Sequence, residues 1–171
     1  MKKALYILGE LEDRDLVWLN GAGRAESLPD GAWLIRAGQE VRQLYFIVDG
    51  DFDVVLPKTG QVVARLSLGD VAGEMSFVEK RLPSASVRAS GPAQVLAVPR
   101  EAILARFEED TAFAARFWHA LAIFLSDRLR TATGGGSESD ARELDDGLLD
   151  TLHVAGDRFT RLLDLLAGRE R

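Results

Sequence analysis

The sequence predicts an α+β fold, with an antiparallel sandwich or barrel of short strands in the middle of the chain and helices on either side. Between residues 26 and 98, short apolar runs are broken by turn residues every ten positions or so, which is the texture of antiparallel strands. Outside that span, apolar residues recur at three- and four-residue spacing, as helices require. At 171 residues, 47% hydrophobic and 28% charged, the chain can bury a core without covalent staples.

Taken in order, Met1-Lys2-Lys3 and Ala4–Leu8 begin like an export signal. The apolar run stops at Gly9-Glu10, too short for one and without a cleavage site. Residues 4–20 carry Leu5, Leu8, Leu16, Val17 and Leu19 among acids, one or two short helices ended by the breaker Asn20-Gly21-Ala22-Gly23. Strands are expected at Trp33–Ile35, Leu44–Val48, Phe52–Leu56, Val62–Leu66, Ser84–Ala89 and Ala93–Val98. Asp49-Gly50 between two of them is the sequence of a tight hairpin. Ala72–Lys80 lacks alternation and reads as a helical turn inserted among strands, with its first N–H groups open to an anion.

After Pro99 the pattern turns helical. Arg100–Glu109 is a short helix, and Asp110-Thr111 caps a longer one reaching about Thr131. On the longer helix, Phe113, Phe117, Leu121 and Phe124 form a stripe widened by Trp118 and Leu125. It reads either as core within one chain or, in part, as the seam of a homodimer. Gly134-Gly135-Gly136-Ser137-Glu138-Ser139-Asp140 is a linker by composition. Beyond it, Leu144, Leu148, Leu152, Ala155, Phe159, Leu162 and Leu166 make a near-heptad face, weakened by Gly147 and Gly156, that calls for a partner surface. The expected organisation is a domain over 1–131, a Gly/Ser linker over 132–140 and an amphipathic tail over 141–171.

Several chemistries are excluded. Without cysteine there is no thiol catalysis, disulfide or Cys-containing zinc site. His119 and His153 are too far apart in sequence to suggest a metal site, and Asp49–Asp53 fails the calcium-loop pattern at Val54 and Gly60. No Ser-His-Asp order, P-loop or dinucleotide G-x-G-x-x-G is present, so no catalytic residue is assigned and no enzyme is expected. The net charge of −6 is the wrong sign for a non-specific grip on nucleic acid or an anionic membrane, and no stretch is long enough to span a bilayer. A cytoplasmic protein is the expectation.

Within this frame, specific residues resemble a family. Leu44-Tyr45-Phe46-Ile47-Val48-Asp49-Gly50 is similar to the "LYFI..G" hairpin of the cyclic nucleotide-binding domains of the catabolite activator and the protein kinase A regulatory subunits. Gly38 and Gly69 stand at that family's turn glycines, and Gly73 to Ala89 resembles its phosphate-binding cassette without a gap. The resemblance covers about residues 10 to 131 and implies a jelly-roll β-barrel with N- and C-terminal helices. It also implies a cyclic nucleotide, of the AMP or GMP type, as ligand. Glu74 would accept from the ribose hydroxyl, Gly73 would allow close approach, and N–H groups around Met75 and Ser76 would face the phosphate. Ser84 and Ala85 would donate to the phosphate. The purine would be capped around Phe117 to Phe124.

One position departs from the pattern. Pro83 stands where the family carries its phosphate-binding arginine, which removes a guanidinium and a backbone N–H together. A hydrogen bond to a charged group is worth roughly 1.5–3 kcal/mol, so binding should weaken at least ~10–100-fold. Arg81 and Arg88 are the candidate substitutes. About 35 residues follow the glycine run, nine of them acidic, whereas a winged helix-turn-helix needs roughly twice that length. DNA binding is therefore not expected. The expected function is a non-enzymatic sensor whose ligand moves the helices after the barrel. The alternative is a ligand-independent dimerisation or scaffold module working through the long helix and the tail, with a protein partner for the tail.

Overall fold

The computed structural model of the chain describes residues 9–132 and 146–166. The Ala4–Leu8 run and the Gly134–Asp140 linker lie outside the described residues. The described residues divide into two compact units, one formed by Leu19–Ala105 and the other by residues 9–18 together with those described from Arg106 onward.

The first unit holds eight strands: β1 (Arg24–Leu28), β2 (Trp33–Ile35), β3 (Gln43–Asp49), β4 (Phe52–Val55), β5 (Val62–Leu66), β6 (Val71–Ala72), β7 (Ser86–Ala89) and β8 (Ala93–Pro99). They form two four-stranded antiparallel sheets, ordered β1-β8-β3-β6 and β2-β7-β4-β5. This is the jelly-roll arrangement, with the hydrogen bonding divided between two sheets rather than carried round a closed barrel. Ile35, Ile47, Phe52, Leu66, Val87 and Val95 meet in its core. Each large side chain buried there contributes about 1.5–3 kcal/mol.

Alternation then puts the residues between these on the opposite face of the second sheet. Trp33 pairs with Arg88, Arg88 with Asp53, and Asp53 with Arg65, so one row of aromatic, base, acid and base crosses all four strands. Arg65 Nε donates to Asp53 Oδ1 at 3.2 Å.

Six of the strands coincide with the expected runs within two residues at each end. The other two, β1 and β6, are edge strands of the first sheet. Strand β1 reads Arg-Ala-Glu-Ser-Leu, charged as exposed edges are, which conceals it in sequence. Strand β6 has only two residues, both buried.

The helices are α1 (Asp13–Ala22), α2 (Met75–Val78), α3 (Arg100–Glu109), α4 (Thr111–Ala132) and α5 (Asp146–Leu166). The helix does end within the expected breaker Asn20-Gly21-Ala22-Gly23, at its far side: α1 runs through Asn20 and Gly21 and stops at Ala22, before Gly23. A Cβ on Gly21 would meet nothing within 4 Å, so that glycine imposes no stop. At Gly23 a Cβ would lie 2.5 Å from Leu96 Cδ1 and 2.9 Å from the Leu19 carbonyl. Gly23 therefore closes the helix, its N–H donating to Leu19 O at 2.9 Å.

In the second unit, Asp110 caps α4 by accepting the Phe113 N–H at 2.9 Å, which holds its carboxyl below the usual carboxylate range. Phe113, Phe117, Leu121 and Phe124 are each at most 2% exposed within the single chain. Rings of Trp18 and Phe107 lie 5.4 and 5.8 Å from that of Phe113, and the Phe107 ring is 5.2 Å from Phe117. The stripe is thus core within one chain, which is one of the two readings its spacing allows. Its neighbour Trp118 remains 41% exposed. Helix α5 buries Ala155, Phe159 and Leu162, and Arg158 Nη1 donates to Gly9 O at 2.6 Å.

Candidate functional site

The residues singled out as a cassette begin where β6 ends. Gly73 has φ +91°, a left-handed value that side chains rarely adopt. A Cβ there would stand 2.5 Å from the Gln43 carbonyl oxygen and 3.1 Å from Val41 Cγ1, so only glycine lets the chain turn this close to the β3 entry. Glu74 follows, 4% exposed, with helical backbone, and its carboxylate makes no capping bond to α2.

The turn after it is tied to itself. Ser76 Oγ donates to Gly73 O at 2.7 Å, and the Ser76 N–H reaches the same carbonyl at 3.2 Å. The hydroxyl and amide of Ser76 are therefore engaged inside the turn, while Met75 is exposed. Phe77 points into the unit, and Arg100, the first residue of α3, covers it with its guanidinium 5.6 Å from the ring. Arg100 Nε also donates to the Ser76 carbonyl at 3.1 Å.

The returning limb, 81–85, leads into β7. Ser84 is exposed and Ala85 half-buried. The Pro83 carbonyl accepts the Gly38 N–H at 2.9 Å, and Ser86 Oγ accepts the Ala37 N–H at 2.9 Å. These two bonds suspend the limb from the loop after β2. Ser86 is a positioning residue that the sequence alone did not reveal. Its only signal was a serine in a strand position, which is as ordinary as a strand residue can be.

The two candidate arginines stand in different surroundings. Arg81 is 82% exposed and 3.9 Å from Glu79, a weak surface pair. Arg88 lies on the face of β7 away from the core, between Val87 and Ala89, which are buried. Its guanidinium sits 5.6 Å from the Trp33 ring centroid. Among the described residues, no group of acids and histidines could hold a metal ion.

The family model described as Cyclic nucleotide-binding domain matches residues 25–110, just over half of the chain. A cyclic nucleotide-binding domain from Methylobacillus flagellatus is similar in structure, with 22% identity over 75% of this chain and 78% of that one, at TM-score 0.67. The catabolite activator protein of Thermus thermophilus shares 23% identity over 96% of this chain and 87% of its own, at TM-score 0.63. The regulatory subunit of a cAMP-independent protein kinase A from Trypanosoma brucei shares 22% over 73% of this chain and 41% of that one, at TM-score 0.59. No curated protein matches the sequence.

Proposed function

This chain belongs to the cyclic nucleotide-binding domain family, and we propose that it is a non-enzymatic regulatory domain whose ligand occupies the Gly73–Ser76 turn. In this reading Gly73 lets the ligand approach the backbone, Glu74 accepts from a ligand hydroxyl, and Ser84 and Ala85 donate from the returning limb. Cyclic AMP and cyclic GMP bind weakly, because Pro83 offers neither a guanidinium nor an N–H where the family's arginine stands. The kinase regulatory subunit from Trypanosoma brucei, described as cAMP-independent, supports a role for this fold without that nucleotide.

The observation that carries the regulatory reading is the Arg100 contact. Helix α3 opens with a side chain bonded to the Ser76 carbonyl and stacked over Phe77. A ligand that reshapes the turn must therefore strain or release the first helix after the strands. A ligand shifts the helix only by its differential affinity for the two positions.

Thermal melting with millimolar cyclic AMP and cyclic GMP tests this. A ligand present at 100 times its Kd stabilises the native state by about 2.7 kcal/mol. Little or no shift is expected for the natural chain, and a clear one for Pro83→Arg. Failure of Pro83→Arg to gain binding would show that more than the one contact is missing from the turn.

A second reading is ligand-independent assembly, and exposed Trp118, Val17 and Val154 in the second unit favour it. Light scattering of the full chain decides it: a homodimer unaffected by nucleotide supports assembly, a monomer removes it. Among the described residues, one helix, α5, follows α4. No helix among them is long and apolar enough to cross a membrane.

A further inference from the structure

A cavity of about 160 Å³ opens beside β2, lined by Trp33–Arg36, Gln39–Val41 and Tyr45. None of Gly73, Glu74, Ser84 or Ala85 lines it. We propose that this cavity is a ligand site separate from the Gly73–Ser76 turn, selective for a small ring-bearing oxyanion, phosphate or carboxylate, held by Arg36 beside Trp33.

Charge is the first argument. The guanidinium of Arg36 lies 5.3 Å from the Trp33 ring centroid and that of Arg88 lies 5.6 Å from it. Two cations thus gather at one indole, and neither makes an ion pair with an acid among the described residues. Two acids beside them in the fold are already engaged. Asp53, the cross-strand neighbour of Arg88, takes Arg65. Glu40, on the cavity wall, takes Arg42 through Nε at 3.1 Å and Nη2 at 3.0 Å. Arg36 thus enters the wall as a cation with no ion-paired acid among the described residues, and the charge of Glu26 is also felt there, at Tyr45.

Shape and hydrogen bonding are the second. Engineered cavities of about 150 Å³ take a benzene ring, so this volume suits one ring and not a whole nucleotide. Two aromatic rings, Trp33 and Tyr45, and the amide of Gln39 complete the wall. Burial, and secondarily the charge of Glu26, holds the Tyr45 hydroxyl above its ordinary pKa of 10.0, so it stays protonated and can donate to an anion.

Position gives the site a consequence. The segment after β2 lines the cavity with Arg36, Gln39, Glu40 and Val41, and it also suspends the returning limb through Ala37 N–H to Ser86 Oγ and Gly38 N–H to Pro83 O. An anion drawn to Arg36 bears on the limb that enters β7. The cavity is thus placed to tune whatever the turn binds.

The test is titration of the ¹⁵N-labelled full chain with phenyl phosphate, followed at the Ala37, Gly38 and Gln39 amides and the Trp33 indole. Saturable shifts are expected. Arg36→Gln, at an exposed position, should weaken binding tenfold or more. Phenol and inorganic phosphate, each lacking one half of the ligand, should bind less tightly than phenyl phosphate. Glu74→Gln should leave the affinity unchanged, which separates this site from the turn whether or not the turn binds nucleotide. Absence of saturation by about 10 mM would overturn the proposal. So would equal weakening by Glu74→Gln and Arg36→Gln, or inorganic phosphate binding as tightly as phenyl phosphate.

Discussion

Arg116 grips the fully buried carboxylate of Asp15 in a fork, Nε to Oδ2 at 3.0 Å and Nη2 to Oδ1 at 3.1 Å, across 101 positions of sequence. The Glu12 N–H completes the shell at 2.8 Å from Oδ2, where Asp15 closes the start of α1 as the acid of a capping box does. Asp15 and the neighbouring Glu12 stabilise the guanidinium and push Arg116 above its ordinary pKa. The pair joins α1 to α4 inside the second unit.

Breaking one side of that fork should be costly. Arg116→Met leaves a buried carboxylate without its counter-charge, and such losses run to about 3–5 kcal/mol. Urea unfolding of the variant should show that drop. The double variant Asp15→Leu with Arg116→Met should recover much of it, and an additive cycle would show that the two residues act separately.

Two left-handed glycines should respond differently to the same change. Gly73→Ala meets both the strained φ of +91° and a backbone oxygen at 2.5 Å. Gly31→Ala meets a φ of +78° and open space. Strain alone costs about 1–3 kcal/mol, so Gly31→Ala should fall in that range and Gly73→Ala beyond it. Equal midpoints in denaturant would mean that the Gly73 turn can move away from Gln43.

Ser86→Ala removes the acceptor of the Ala37 amide. Leaving a donor unpaired costs about 1–3 kcal/mol. Hydrogen exchange at Ala37 should accelerate accordingly. Exchange at Gly38, whose acceptor is the Pro83 carbonyl, reports whether the loop opens as one piece.

The helix cap at Asp110 predicts a pH response. Its carboxyl titrates lower when folded, chiefly because it accepts the Phe113 N–H. A depressed folded value gives stability that is present above the unfolded value near 3.8 and lost as pH falls through the folded one. Acid titration of the melting temperature should therefore be flatter below that point for Asp110→Asn, which still caps but carries no charge.

Much of this was legible in the residues themselves. The hairpin glycine in Asp49-Gly50 has φ +78°, and its missing Cβ leaves room for Pro92 and Ala93, so turn chemistry and structure agree there. The Asp110 cap was equally readable, because an acid before a helical pattern has few other uses. What depends on neighbours distant in sequence is hidden from any local pattern. Asp15 is one of four acids between residues 10 and 15 and is distinguished only by Arg116, 101 positions away. Edge strand β1 looks like a loop because edges favour charge, and which glycine of the 20–23 breaker closes the helix shows only in the space around Gly21 and Gly23. The pairing of Arg36 and Arg88 at Trp33 likewise needs the β2–β7 register, which no local pattern supplies.

The bond from Gly38 to Pro83 has a consequence for how such a site can be rewritten. Every amino acid presents the same carbonyl, so the limb keeps its suspension whatever side chain stands at 83. Attachment is thereby assigned to the main chain and discrimination to the side group. A single codon could then alter what the limb recognises while the scaffold that displays it stays as it is.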